Sequence, residues 1–431
     1  MAVALGIRRE DKNRWERRVP ITPKHVRELK EKYDIETVIQ PSKIRVFSDK
    51  EYESSGAQVK EKLSSPVIFA IKEIPADFFE KGKTYVFFSH TIKGQTHNMP
   101  MLKSMMELGC NLIDYERITD EKERRLVFFG RFAGLAGMID ALWAFGQRMK
   151  SKGINTPLSE IKQSYHYSSL DEAKKHLKKI GKKIEKKGMP NSLAPIVVGF
   201  AGYGNVSKGA QEILDILPVK EISPTQLETI QKKFSDKVIY KVVFKEEDTV
   251  EPVSPGKNFN LQEYYNHPNL YRSVFQQYIP HLSILMNCIF WNKQYPRLVT
   301  KKFLKDNYNE KFKLQVIGDI SVDINGAIEF TEKVTSPDSP VFVYNPSIDK
   351  IIDGHSGDGV VVMAIDNLPC EVPRESSQFF SDTLMNFIPP IVKADFSVDF
   401  DKVDLPIEIK KAVVLHHGKL TPDYRYINKF L

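Results

Sequence analysis

Short apolar runs alternate along the chain with amphipathic stretches whose apolar positions recur at helical spacing. Residues 2–7 predict a first strand, followed by the charged loop RREDKNRWERRVPITP. A helix then starts with Thr22 as N-cap and Pro23 at its first position, and Val26, Leu29 and Tyr33 form its inward face. Strands are expected at 37–39, 67–71, 85–88 and 111–115, with helices at 51–62 and about 98–108. A further strand is expected near Arg124, Arg125 and Phe129. Strands and helices in alternation predict a parallel α/β domain.

A second pattern follows. Residues 134–146 are apolar almost all round, with Ala133, Gly134, Ala136 and Gly137 opening the run, which predicts a long buried helix between two α/β units. Residues 151–190 are polar and carry the lysine-rich stretch 174–187, whose Leu177, Ile180 and Ile184 mark one apolar stripe. That is the pattern of a surface helix with a solvated face. A new strand–turn–helix begins at 195, and strands are expected at 238–244, 283–287, 314–320 and 359–366. Residues 246–278 read as irregular and aromatic-rich, and 377–392 as a second long helix returning to the first domain. The expected fold is α/β: two Rossmann-like, doubly wound parallel-sheet domains joined by long buried helices, with a cleft between them. Residues 1–138 and 369–431 form the first domain and 139–368 the dinucleotide-binding one.

Composition narrows the class. Of 431 residues, 41% are hydrophobic and 27% charged, as in an ordinary water-soluble chain. Three cysteines fit neither a disulfide framework nor a thiolate metal site, and no metal is expected. The first residues lack the layout of a signal or transit peptide, and no apolar stretch is long enough to span a bilayer, so a cytoplasmic protein is expected. The net charge of +8 comes without aromatic interleaving or a base-reading motif, so neither nucleic acid nor membrane is an expected partner.

Chemistry concentrates in two patterns. In the stretch PIVVGFAGYGNVSKGAQ a buried strand passes through Gly202 and Gly204, and the chain turns amphipathic at Gly209, which predicts a strand, a glycine turn and a helix. Such a turn lets backbone N–H groups approach a pyrophosphate, although Ser207 and Lys208 stand where a third glycine is expected before Gly209. Alone, the pattern is equally an ordinary strand–turn–helix corner. If the next strand ends at the adenosine ribose, its end carries Ser223, a hydroxyl that suits a 2′-phosphate, with Glu221 nearby as a counter-signal. In the first domain, successive strand ends deliver Lys72 and Glu73, then Ser89 and His90, then Glu116, with Lys93 and Gln95 just after His90. Each alone is an unremarkable loop charge. Together, beyond the carboxyl ends of parallel strands, they predict an acid–base site.

The segments FFSHTIKGQ, FAGLAGMI, GYGNVSKGAQ, YYNHPNLY, NCIFWNKQYPRLVT, GDISVDINGAIEF and AIDNLP, in this order, resemble the lysine-forming saccharopine dehydrogenases. The resemblance is strongest to the lysine–2-oxoglutarate reductase half of bifunctional aminoadipic semialdehyde synthases, and covers nearly the whole chain. It does not extend to their second, saccharopine-oxidising half. It implies the alanine dehydrogenase/transhydrogenase fold and a reversible reaction: L-lysine condenses with 2-oxoglutarate and the imine is reduced to saccharopine, the first step of lysine degradation. By this resemblance Lys72 and His90 are general base and acid, tuned by Glu73 and Glu116. Arg18, Lys93, Gln95, Arg125, Phe129 and the run Ser321, Val322 and Asp323 meet substrate. The cofactor meets Gly202, Gly204, Asn205, Val206, Ser223, Arg124 and Ile320, with Ile365, Asp366, Asn367 and Leu368. NADP(H) is favoured over NAD(H), because NAD-dependent fungal members carry aspartate at the position of Ser223. Domain closure is implied to bring nicotinamide to the first-domain residues. A homo-oligomer is compatible, and a separate saccharopine-oxidising enzyme is implied as pathway partner. A one-residue slip at Arg17/Arg18 or Arg124/Arg125 exchanges their roles. Alternatives are an NAD-dependent saccharopine or other amino-acid dehydrogenase of the same fold, or a catalytically silent nucleotide sensor; the presence of both Lys72 and His90 argues against the last.

Overall fold

A computed structural model describes residues 3–431, so Ala2 of the expected first strand lies outside the described residues. The chain divides into two compact units: one runs to Phe129 and resumes over Pro373–Leu431, the other is Gly130–Val372. The 22-residue helix Gly130–Ser151 therefore lies wholly in the second unit, where the sequence reading divided it at 138.

In the first unit an eight-stranded sheet runs in the order Lys419–Leu420, Val413–His416, Asn111–Asp114, Thr84–Phe87, Val67–Phe69, Val3–Ile7, Ile35–Ile39, Gln58–Val59. The last six are parallel. The central strands Val67–Phe69, Thr84–Phe87 and Asn111–Asp114 are buried at every position, as a sheet covered on both faces requires. Their carboxyl ends lie side by side, and this aligns residues 72, 90 and 116. Three expectations change here. The helix expected over 51–62 is only Asp49–Glu53: Gly56, at φ +92°, turns the chain into Gln58–Val59. No strand forms near 124–129, where Arg125 makes an isolated bridge to Thr119. The tail helix is two pieces, Pro373–Leu384 and Ile388–Lys393, because Pro389 and Pro390 cannot donate backbone bonds to the preceding turn.

The second unit holds another eight-stranded sheet: Lys350–Asp353, Val341–Asn345, Val360–Met363, Val316–Asp319, Ile284–Asn287, Ile196–Ala201, Ile239–Phe244, Val219–Glu221. The first two strands are antiparallel additions and the other six are parallel. The strand that follows the glycine turn's helix, Val219–Glu221, is thus the sheet edge, and Ile239–Phe244 sits between it and the glycine strand. Composition explains the exchange. IYKVVF is apolar enough for the interior, whereas VKE keeps two of its three residues exposed.

The helix Gly130–Ser151 lies against the helix Asn205–Leu214 through glycines on both partners. A Cβ at Gly134 would meet the Val206 carbonyl oxygen at 1.9 Å, and one at Gly209 would meet that of Arg131 at 2.1 Å. Gly209 thus serves the close packing for which a third glycine is usual. Further along, Gly137 makes room for Ile320 and Leu368, whose methyls stand 2.9 and 3.1 Å from where its Cβ would be. Among the described residues no helix is long and apolar enough to cross a membrane.

Because the obstruction at Gly134 is backbone, Gly134→Ala forces the two helices apart. We expect a loss of about 1–3 kcal/mol in denaturant unfolding of the whole protein; an unchanged midpoint would contradict the packing described.

Candidate active site and nucleotide corner

At the end of Val67–Phe69 the chain delivers Lys72 and Glu73, and at the end of Thr84–Phe87 it delivers His90. His90 sits at φ +49°, a left-handed conformation that costs a non-glycine residue about 1–3 kcal/mol and clusters at functional sites. Its carbonyl accepts from Asn98 Nδ2 at 3.1 Å, and its ring stacks on Phe88. His90 Nδ1 lies 2.6 Å from Glu73 Oε1, and Lys12 Nζ bridges both Glu73 oxygens at 3.0 and 3.2 Å. Burial works to raise the Glu73 carboxyl, but the bond to His90 and the charges of His90 and Lys12 outweigh it and hold the group well below the usual carboxylate range. An ionised Glu73 only accepts, so Nδ1 carries the proton and Nε2 is the ring nitrogen left for proton exchange.

Lys72 is half-buried, and among the described residues its ammonium has no hydrogen-bond or ion-pair partner. Burial, reinforced by the Arg18 charge, lowers its pKa against the opposing pull of Glu16. Two carboxylates that the sequence reading did not single out organise its surroundings. Glu10 accepts from the backbone N–H groups of Ile71 at 2.6 Å and Lys72 at 3.0 Å, fixing where that strand ends. Burial, with the neighbouring Glu16 charge, pushes Glu10 up to about 7. Glu16 holds Arg18 through a bidentate pair of 2.6 and 2.7 Å, both side chains being buried. The available signal was position: both acids follow a buried strand in a loop otherwise rich in arginine.

The doubled arginines separate clearly. Arg18 is buried over the Phe129 ring, 4.2 Å from its centroid, while Arg17 turns outward to the Ile44 carbonyl. Phe129 in turn stacks on Phe380 at 4.5 Å. Arg18 therefore lies in the lysine's surroundings with its Nε and Nη2 edge committed to Glu16. Arg125 pairs with Glu116 at 3.0 Å and keeps about half its surface exposed, whereas Arg124 points to Asp120. Behind Glu116, Asp114 caps its backbone N–H at 2.8 Å and binds the Ser89 hydroxyl. Burial and the Glu116 charge lift Asp114 to about 6. Lys93 is exposed, and its backbone N–H donates to the Gln95 side chain, so the loop after His90 is partly tied to itself.

In the second unit Gly202 adopts φ +94°, and a Cβ there would approach Ile289 and the Cys288 carbonyl within 3.0–3.2 Å. At Gly204, by contrast, a Cβ would meet nothing within 4 Å, and the helix opens at once with Asn205 and Val206. Exposed backbone over open space at a helix start fits a pyrophosphate. Two cavities flank the turn and share Tyr203 and Lys245. One, of about 560 Å³, gathers Ser223 with Lys208, Gln211 and Glu221; the other, of about 330 Å³, is aromatic. Ser223 thus lies beside the turn although it ends the edge strand. The residue following the strand actually adjacent to the glycine strand is Lys245, then Glu246. This corrects the topological premise on which Ser223 was chosen.

After Val316–Asp319, Ser321 donates to the Ile289 carbonyl, and Val322 stands at φ +54°, strained for a β-branched residue. Asp319 pins this turn: it accepts from Asn287 at 2.8 Å, Thr331 at 2.6 Å and the Val322 N–H at 3.3 Å. Asp323 is half-buried in the same turn. Ile365 and Leu368 are buried to 1% exposure, so their side chains are core, while Asp366 is exposed and Asn367 half-buried.

The sequence matches the description "Alanine dehydrogenase/PNT, N-terminal domain" over residues 6–136 and "Alanine dehydrogenase/PNT, C-terminal domain" over 198–423. The chain belongs to this family. Within it, 98% of the chain aligns at 38% identity with the alpha-aminoadipic semialdehyde synthase of Arabidopsis thaliana, and 99% at 33% with the mitochondrial one of Mus musculus. The chain spans less than half of these relatives, 41% and 47%. A saccharopine dehydrogenase [NAD(+), L-lysine-forming] of Emericella nidulans is 26% identical over 81% of the chain and 82% of its own length. Among solved structures, an L-alanine dehydrogenase superposes with a TM-score of 0.63 at 16% identity, covering 99% of this chain and all of that one. A transhydrogenase from Sinorhizobium meliloti gives 0.56 at 14%, covering 97% and 100%. These two likenesses concern the fold of the alanine dehydrogenase/PNT family alone.

The Glu73–His90 bond carries a pH signature. A carboxyl depressed in the folded state contributes stability that is complete above its unfolded value of 4.5 and is lost as pH falls through the folded value. The stability difference between wild type and Glu73→Gln should therefore be constant above about pH 5.5 and shrink below 4.5. A difference in chemical-denaturation midpoints that persists undiminished at pH 3 would refute an ionised Glu73.

Proposed function

We propose that the protein reductively condenses L-lysine with 2-oxoglutarate to saccharopine, reversibly, with NADPH. The observation that carries this reading is the pairing of an unpartnered, proton-shedding Lys72 with the Glu73–His90 dyad on neighbouring strand ends. The names of the relatives supply the substrate class. The reaction starts when the neutral ε-amine of lysine attacks the ketone carbon of 2-oxoglutarate. Lys72, with its lowered pKa, takes the proton that the attacking amine must lose. His90 Nε2 delivers a proton to the departing hydroxyl, so that water leaves and the imine forms. Glu73 keeps the imidazole in the required tautomer and stabilises its charged form. Arg125, half exposed and not buried in its pair with Glu116, is suited to a substrate carboxylate. A nicotinamide dinucleotide, held when bound by Gly202, Gly204, Asn205 and Val206, supplies the hydride that reduces the imine carbon.

The preference for NADPH is supported by the company Ser223 keeps. Its hydroxyl lines one cavity with Lys208 and Lys245, and two ammonium groups with a hydroxyl suit a 2′-phosphate. A second reading, NAD(H), has its own support: Glu246 follows the strand adjacent to the glycine strand, where a carboxylate binds a ribose hydroxyl.

Purified protein should oxidise NADPH when both lysine and 2-oxoglutarate are present, and oxidise NADH much more slowly. No turnover with this pair, set against turnover with another amine or oxo acid in a panel, would redirect the substrate assignment; faster NADH turnover would favour the Glu246 reading. His90→Ala and Lys72→Met should each lower kcat by about a hundredfold or more, with dinucleotide affinity unchanged in fluorescence titration. Arg125→Ala should raise KM for 2-oxoglutarate about tenfold.

A further inference from the structure

The last segment of the first unit, Pro422–Phe430, is a 3₁₀ helix of nine residues. Runs of this kind rarely exceed three or four residues, because their hydrogen bonds are poorly aligned, so contacts outside the segment hold it. Three residues per turn bring every third side chain into one row, here Tyr424, Ile427 and Phe430. Tyr424 and Ile427 are buried, whereas Phe430 keeps 39% of its surface exposed. The row is anchored at its start. Thr421 Oγ1 donates to the Val413 carbonyl at 2.6 Å, and the Tyr424 hydroxyl donates to that of Lys411 at 2.6 Å while accepting from Arg117 Nε at 3.0 Å. Its far end meets the turn that follows His90. The Tyr426 hydroxyl donates to the Ile92 carbonyl at 2.8 Å, and the Phe430 ring lies so close over Gly94 that a Cβ there would stand 2.5 Å from it. Gly94, at φ +70°, meets two demands at once, a left-handed turn and the approach of a ring.

That turn carries Lys93 and Gln95, the residues that the family resemblance assigns to substrate. Its own bonds are local: the Gly94 N–H donates to the Thr91 carbonyl at 2.9 Å, and the Lys93 N–H donates to Gln95 Oε1 at 3.1 Å. Such bonds close a turn without fixing where it stands. Ile92 packs only partly on the core, and Lys93 is exposed. His90 has separate support, from Glu73 on its ring and from Asn98 on its carbonyl. The two tail contacts, at residues 92 and 94, bracket Lys93. We infer that Tyr426 and Phe430 are positioning residues for substrate binding: they hold the 91–95 turn so that Lys93 and Gln95 meet the substrate, while His90 keeps its own support. The substrate role rests on the reaction proposed above; the placement of the turn by the tail does not.

Two measurements on the full chain test it. Hydrogen exchange read by mass spectrometry over residues 88–98 needs no substrate. Phe430→Ala should speed exchange in the 91–95 turn about tenfold, and Phe430→Leu, which keeps an apolar side chain over Gly94, should stay near wild type. In the NADPH assay with lysine and 2-oxoglutarate, Phe430→Ala should raise KM for at least one of the two substrates about tenfold. The pH profile of kcat and the affinity for NADPH should not move, because Lys72 and His90 keep their supports. Tyr426→Phe removes one hydrogen bond and should raise the same KM about fivefold. Gly94→Ala pushes the ring away and should reproduce Phe430→Ala, with the double variant falling short of the product of the two single effects. Unchanged exchange in Phe430→Ala overturns the contact, and an unchanged KM overturns the positioning role, as does a loss spread evenly over kcat, KM and NADPH affinity. A wild type without turnover on this pair removes the proposed reaction, and the exchange measurement then decides the placement of the turn by itself.

Discussion

In the second unit the close approach of two helices sets everything else. Gly134 and Gly209 let the backbone of Gly130–Ser151 touch that of Asn205–Leu214, with carbonyl oxygens occupying the space of the missing Cβ atoms. The glycine turn leads into the N-terminal end of the second helix, so its height above the sheet is fixed by this contact rather than by loop chemistry. The same long helix then uses Gly137 to admit Ile320 and Leu368, and thereby places the strained turn at Val322 and the chain entering Asp366. It also buries Asp140, which accepts from the Ser164 N–H at 2.7 Å and lies with Glu371 beside Ser164. Burial lifts Asp140 to about 6. A helix hydrophobic all round can serve in this way because small residues mark where partners touch it.

The first unit solves a different problem, holding charge out of water. Glu10, Glu16 and Arg18 are all buried, and a buried charge persists only when paired or neutralised. Glu16 and Arg18 pair. Glu10 turns to backbone donors and sits near a pKa of 7. Lys72 has no hydrogen-bond or ion-pair partner for its ammonium among the described residues, and burial lowers its proton affinity. The lysine's readiness to give up its proton thus follows first from burial and then from the charge of Arg18, against the pull of Glu16. Around Glu73 the charges of Lys12 and His90 hold the carboxyl ionised, so the surroundings push Lys72 and Glu73, neighbours in sequence, toward their deprotonated forms by different causes: burial for the lysine, nearby positive charge for the acid.

Much of this was legible from spacing. Short apolar runs of three to eight residues, alternating with helical stretches, gave the parallel sheets, and strand ends gave Lys72, Glu73, His90 and Glu116 as one row, because a parallel sheet aligns all its carboxyl ends on one edge. Pro23 and Thr22 marked a helix start that the structure keeps. What spacing could not give was lateral order. The Val413–His416 strand joins the sheet next to Asn111–Asp114 from three hundred residues away, and no local pattern specifies that neighbour. Glu10 and Glu16 were hidden in a loop whose charges look solvated until the fold buries them. The tail helix broke at Pro389 and Pro390, a local signal outweighed by apolar periodicity.

The exchange of Val219–Glu221 and Ile239–Phe244 is the most consequential case of lateral order. Counting residues from the glycines assumes that the next strand in sequence is the next strand in the sheet. Here burial decides otherwise: the apolar strand takes the interior place and the polar one the edge. The corner beside the glycine turn is consequently built from two strand ends instead of one. The edge strand contributes Ser223, with Lys208 from the helix close by; the interior strand contributes Lys245 and Glu246, and the aromatic-rich segment follows them. Tyr203 and Lys245 line both cavities, and Glu221 stands with Ser223 and Lys208 in the larger one, so each side of this corner mixes basic and acidic groups. Glu246 accepts from Tyr265 and lines the aromatic cavity, whereas Ser223 and Lys208 line the other.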